Sequence, residues 1–146
     1  HELMPPEFTY ASLDEVVRFF ISKQADVNKE KITFLYGSSA IDSDWGEVAD
    51  ASALEIYRII QEAVGNAVKH SGADKINVKL SLTKEKLEAI IIDNGSYQQK
   101  VSTGKNGIGL DSIRRRANVI GGTISVSANE LGGTTVKLTM IFLKTQ

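Results

Sequence analysis

Hydrophobic residues along this chain repeat with two periods, and the switches between them divide it into helices and strands. Pro5-Pro6 breaks any helix arriving from upstream. Ser12-Leu-Asp-Glu15 then has the form of a capping box and predicts a helix running to about Val27. Ile32, Phe34 and Tyr36 alternate with Thr33 and Leu35, which predicts a short strand over 31–36, closed by a Gly37-Ser-Ser turn and a polar loop containing Trp45. Ser52-Ala-Leu-Glu55 is a second capping box. The helix it predicts carries Leu54, Ile56, Tyr57, Ile59, Ile60, Ala63, Val64, Ala67 and Val68, so it is apolar around most of its girth and central to the fold.

Ser71-Gly72 ends that helix. Ile76, Val78, Leu80 and Leu82 then recur every second residue, and the apolar run 87–93 follows across the connection 83–86, so the two segments read as a β-hairpin. Residues 96–106 show no apolar period and are rich in Gln, Lys, Ser, Thr and Gly, which is loop chemistry. Residues 109–120 read as a helix with Gly121-Gly122 as its left-handed cap. Two further strands, 123–128 and 134–143, flank a turn over 129–133. The sum is three helices and about five strands: an α/β sandwich, with one mixed, mostly antiparallel sheet covered on one face by helices.

A length of 146 residues, 42% hydrophobic and 24% charged, suits one domain with one core. The formal charge of -1, with no basic run longer than Arg114-Arg115-Arg116, gives no reason to expect nucleic acid. Cysteine is absent, which excludes disulfides and thiolate metal sites and fits a reducing compartment. The apolar stretch around 89–92 is far below a membrane span, so no membrane contact by this chain is expected. The opening His1-Glu2-Leu3-Met4-Pro5-Pro6 has no initiator Met. It reads as a linker over 1–11 entering a domain over 12–146, cut from something longer.

Three segments carry candidate chemistry. Glu62, Asn66 and His70 stand one helical turn apart, a polar row on an otherwise apolar helix. A solvated face would explain such a row, but the opposing faces are apolar and Lys69 sits beside His70, so the row is expected to line a cavity. Asn66 offers a neutral oxygen to a hard cation such as Mg2+; Glu62 could orient or accept a proton from a nucleophile; Lys69 and His70 could neutralise phosphate. Asp93 ends an Ile-rich strand and either caps the turn with Asn94-Gly95 or accepts from the exocyclic amine of adenine, with Gly95 letting the base approach. Gly104, Gly107 and Gly109 precede a helix and are either a hinge before it or a turn whose backbone amides would face an anion, with Lys105 adding charge. The pattern is neither a dinucleotide fingerprint nor a P-loop. Arg114, Arg115 and Arg116 point in different directions on a helix, so a solvated face is expected, with at most one or two reaching a ligand or partner.

In this order the segments resemble the nucleotide-binding domain of the GHKL ATPases, the Bergerat fold, and specifically its sensor histidine kinase branch. Glu62-xxx-Asn66-xx-Lys69-His70 matches the N box, Asp93-x-Gly95 the G1 box, and Gly104-xx-Gly107-x-Gly109-Leu110 the G2 box. Gly133-Thr134-Thr135-Val136 is similar to the late Gly-Thr element. Gln61 to His70 further resembles kinases that pair with response regulators carrying helix-turn-helix output domains. The resemblance implies that Asn66 holds Mg2+, Asp93 reads adenine with Thr134 nearby, and Gly95 accommodates the base. It implies that Lys69 and His70 meet the phosphates of ATP, and that Gly107 and Gly109 frame the triphosphate. Gly104, Lys105, Ile108 and Leu110 would complete the nucleotide contacts, Glu62 would assist transfer, and 96–106 would be a lid. Ser96-Tyr97 replaces a second glycine found in many members, which implies a different lid hinge. Gly65 inside the helix is unfavourable by about 1 kcal/mol relative to Ala and is expected to allow close packing.

The implied protein is the cytoplasmic catalytic, ATP-binding part of a kinase, monomeric as a piece and homodimeric as a whole, with membrane anchoring of the whole left open. Its partners would be a histidine-bearing dimerisation domain of the same protein and a response regulator downstream. His1-Glu2-Leu3-x-x-Pro6 mimics a phosphoacceptor motif, but only one helix and one strand separate it from Asp50, leaving no room for a two-helix dimerisation hairpin. Two alternatives stay open: an anti-sigma-factor-type serine kinase of the same superfamily, and a GHKL module that binds a partner without catalysis. Upstream acceptor helices would distinguish the first, and magnesium-dependent ATP binding the second.

Overall fold

The structure, a computed structural model, describes residues 11–97 and 110–142. Helix α1 spans Leu13–Val27, α2 Asp50–His70 and α3 Leu110–Val119; the strands are β1 Thr33–Ala40, β2 Lys75–Leu82, β3 Lys86–Asp93, β4 Gly122–Ala128 and β5 Thr134–Ile141. They form one five-stranded sheet in the order β1-β2-β3-β5-β4, in which β1 runs parallel to β2 and every other pair is antiparallel. All three helices lie on one face, α1 against β1, α2 against β3 and α3 against β4.

Strand periodicity explains the layering. Val78, Leu80, Ala89, Ile91, Val136 and Leu138 point toward the helices and are buried, where they meet Ile56, Ile59, Ile60 and Val64 of α2. The alternate positions form the open face, where Glu88 pairs with Lys137 at 3.2 Å and Lys86 at 3.7 Å. At α1 the capping box forms as its sequence requires, with the Ser12 amide donating to the Glu15 carboxylate at 3.0 Å.

Three local expectations are corrected. Gly37-Ser38-Ser39 is not a turn: it continues β1 to Ala40, because parallel pairing with β2 holds its backbone along the whole strand, from Thr33 opposite Lys75 to Ala40 opposite Leu82. Ser52 is not an N-cap, since α2 begins at Asp50 after Ala49. The working box upstream is Asp44 to Glu47, whose carboxylates cap the short 3-10 turn Trp45–Glu47 by accepting from Gly46 and Asp44 amides. At the end of α3 only Gly121 takes the left-handed conformation, at φ 73°, while Gly122 already starts β4.

The Tyr36 side chain ties β1 to α1 by donating to the Asp14 carbonyl at 2.9 Å, and its ring carries the Arg18 guanidinium at 5.0 Å. Burial pushes its phenol up to about 12, against a weaker opposing hydrogen bond with Ser38. A neutral group whose pKa is higher in the folded state contributes stability below its unfolded value of about 10 and loses it as pH rises toward 12. Urea denaturation between those values should therefore show a falling stability that Tyr36→Phe removes.

Candidate functional site

Asp93 is the last residue of β3, and the same alternation that turns Leu87, Ala89 and Ile91 inward turns its carboxylate into the core, where it is 1% exposed. A carboxylate there is tolerable only if its oxygens are bonded. Oδ1 accepts from the Gly95 amide at 2.9 Å and from the Thr134 amide at 3.3 Å. Thr134, the first residue of β5, is fully buried, yet its Oγ1 has no partner among the described residues. Such a hydroxyl beside a buried acid is a polar atom that native structures pair with a ligand or an ordered water.

Two glycines permit this approach of β3 to its neighbours. A Cβ on Gly133 would strike the Asp93 carbonyl oxygen and lie 2.7 Å from Asp93 Oδ1. A Cβ on Gly95 would strike the Ser71 carbonyl oxygen and lie 2.5 Å from Ser71 Oγ. Gly95 is thus needed first for its packing against the end of α2. There Ser71 Oγ donates to the Ala67 carbonyl at 2.6 Å and accepts from the Ala73 amide, while its carbonyl accepts from Ser96 at 2.8 Å. The Tyr97 amide donates to the Gly132 carbonyl at 3.1 Å, so Ser96 and Tyr97 are held on both sides of the site.

Glu62, Asn66 and His70 occupy one half-buried row of α2, and Lys69 beside them is exposed. The row runs to the helix end that Ser71 stitches to Gly95, so the predicted amide and imidazole share with Asp93 one end of the sheet. Glu62 is engaged by α3, through Ser112 and Arg116. Gly65 does not allow close packing as expected, because no described atom lies within 4 Å of where its Cβ would be. Gly65→Ala should therefore raise stability by about 1 kcal/mol from helix propensity alone, measurable as a higher denaturation midpoint. Leu110 opens α3, half-buried against the core. Gly104, Lys105, Gly107, Ile108, Gly109 and most of the expected lid lie outside the described residues.

Residues that periodicity did not single out complete the site. Asn129 donates to the Asp93 carbonyl at 3.0 Å and accepts from the Gly133 amide at 3.1 Å, so one side chain fixes both the acid and the turn before Thr134. An Asn opening a Gly-Gly turn was the available signal. Of the three arginines, Arg114 and Arg115 are exposed and Arg116 turns inward to two carboxylates of α2. Among the described residues no cluster of three or more acidic or imidazole side chains converges. A metal held here would use a lone protein oxygen such as that of Asn66, a donor set that suits Mg2+ completed by water and phosphate oxygens. A separate cavity of about 410 Å³, walled partly by Val48, Leu82, Met140 and Phe142, lies at the opposite end of the sheet and includes none of the predicted residues.

A buried acid, a hydroxyl with no partner among the described residues and a polar helix row thus gather at one end of an α/β sandwich. Residues 51–144 match the family described as histidine kinase-, DNA gyrase B- and HSP90-like ATPase, and the chain belongs to that family. It is 33% identical over 102 residues to the sensor histidine kinase LiaS of Bacillus subtilis (strain 168), covering 67% of this chain and 28% of that protein. It is 29% identical over 83 residues to the signal transduction histidine-protein kinase/phosphatase DegS of Brevibacillus brevis, covering 57% and 22%. The chain therefore spans only about a quarter of the length of these relatives. Its fold is shared with the ATP binding domain of PrrB from Mycobacterium tuberculosis, at a TM-score of 0.62 and 19% identity over 92% of this chain and 96% of that one. Among the described residues no helix is long and apolar enough to cross a membrane.

Proposed function

We propose that this chain is the catalytic, ATP-binding domain of a sensor histidine kinase, presenting the γ-phosphate of Mg-ATP to a histidine on a separate dimerisation domain. A response regulator would then take the phosphoryl group. The observation that carries the reading is the fully buried Thr134 hydroxyl, without a partner among the described residues, beside the Asp93 carboxylate, a pairing of donor and acceptor suited to one edge of adenine. In this reading Asp93 accepts from the exocyclic amine, Asn66 supplies the protein oxygen to Mg2+, and Lys69 and His70 at the end of α2 meet phosphate charge. Glu62 assists the incoming histidine. Such transfer depends mostly on positioning and charge stabilisation. Gly104, Lys105, Gly107, Ile108 and Gly109 would add phosphate contacts from the segment before α3.

Calorimetric titration with ATP and GTP, each with and without Mg2+, tests this directly. Binding selective for ATP and strengthened by the metal is expected; absence of both would overturn the proposal. Asn66→Ala should remove chiefly the metal-dependent part, and equal losses in both conditions would contradict its role. Thr134→Val gives a sharper signature. Removing an unsatisfied buried hydroxyl should raise the stability of the free protein by about 1 kcal/mol while ATP affinity falls, because the hydroxyl's partner is the ligand.

A further inference from the structure

Glu62 is oriented from α3. Its Oε1 accepts from Ser112 Oγ at 2.9 Å and from Arg116 Nε at 3.3 Å, and its Oε2 has no partner among the described residues. Ser112 and Arg116 are four residues apart on one face of α3. Arg116 also donates from Nη1 to Glu55 Oε1 at 2.9 Å, and Glu55 stands two turns before Glu62 on the same face of α2. All three charged side chains are about a quarter exposed. A planar guanidinium forked between two carboxylates is fixed in a way that a lone solvated ion pair is not. Burial lowers the Arg116 pKa, but the bonds to Glu55 and Glu62 outweigh it and the net shift is upward, so the cation persists.

Joining α2 to α3 would need only the contact with Glu55. Two donors converging on one oxygen of Glu62 do something more: they select its rotamer and leave the second oxygen available, in the same helical row as Asn66. We infer that Ser112 and Arg116 are positioning residues for Glu62, aiming its second carboxylate oxygen at the group that receives the phosphoryl. The inference rests on the kinase reading. Because α3 directly follows the glycine-containing segment 104–109, the pair also makes the aim of Glu62 depend on where that helix sits.

The test uses the kinase that carries this domain together with its phosphoacceptor histidine, reading phosphohistidine formation as kcat and Mg-ATP binding as a separate Kd. Arg116→Gln is expected to lower kcat on the order of a hundredfold, the scale of a misplaced catalytic group, with Kd changed by less than about threefold. Arg116→Lys should not restore the rate, since an ammonium cannot fork between Glu55 and Glu62. The Glu62→Gln, Arg116→Gln double variant should be no slower than Glu62→Gln alone, because Arg116 acts through that carboxylate. Additive losses, or a fall in affinity equal to the fall in rate, would assign the pair a merely structural role and overturn the inference. Ser112→Ala removes only a hydroxyl and keeps the test decisive if Arg116→Gln does not fold: a several-fold loss of kcat at constant Kd supports the pairing, and an unchanged kcat refutes it. A wild-type protein unable to bind Mg-ATP would instead sink the kinase reading itself.

Discussion

Asp93→Asn should reduce ATP affinity on the order of a hundredfold, about 3 kcal/mol, while the protein stays folded. The asparagine can keep its oxygen where Asp93 Oδ1 accepts from Gly95 and Thr134, since a donor there would face two amide hydrogens. In the proposed reading, its NH2 group then replaces the oxygen that would accept from adenine and points a donor at the exocyclic amine. Two donors in a buried site leave both unsatisfied, which is why the expected loss exceeds that of a missing hydrogen bond. Titration of the variant with ATP, beside circular dichroism to confirm the fold, checks both parts; unchanged affinity would remove Asp93 from base recognition.

Gly133→Ala should be the most damaging small substitution in the site. Its Cβ has no space: it would collide with the Asp93 carbonyl group, which is strand backbone and cannot rotate aside. Either the end of β3 and the start of β5 separate or the turn rebuilds, at a cost of about 3 kcal/mol or more, which in a protein of this size lowers the melting temperature by roughly 10 °C. The same shift draws the Thr134 amide away from Asp93, so ATP affinity should fall together with stability. Differential scanning calorimetry with and without ATP measures both, and a variant as stable as wild type would mean that the turn yields without strain.

Much of this architecture was legible in the residues themselves. Period-two alternation marks strands such as Ile76, Val78, Leu80 and Leu82, but the unbroken apolar run of β3 leaves the facing of Asp93 open between a turn cap and a buried acceptor, and the structure resolves it inward with Leu87, Ala89 and Ile91. The polar row of α2 followed from helical spacing. What could not be read were contacts between segments distant in the chain. Ser71 looked like a helix stop, yet its backbone and hydroxyl set the position of Gly95. Asn129 belonged to an ordinary turn until the antiparallel pairing of β3 with β5 brought it to the Asp93 carbonyl. Arg116 could not be separated from its neighbours without knowing which face of α3 meets α2. The extension of β1 through Gly37-Ser38-Ser39 was hidden for a related reason: an edge strand needs no apolar alternation where its neighbour supplies the hydrogen bonds.

The junction of Asp93 with Thr134 joins residues far apart in the chain, and this has a bearing on synthesis by the ribosome. A nascent chain that has released β3 but not yet β5 carries an inward carboxylate with no Thr134 amide to receive it, so the acid remains a destabilising element until the last strand docks. Non-local pairings of this kind close late, after local helices and the β2-β3 hairpin. Competence to capture a nucleotide should thus arise only once β5 has been synthesised and docked on β3, which makes nucleotide retention a reporter of a closed sheet, and makes truncation before Thr134 a loss of binding even where most of the sheet survives.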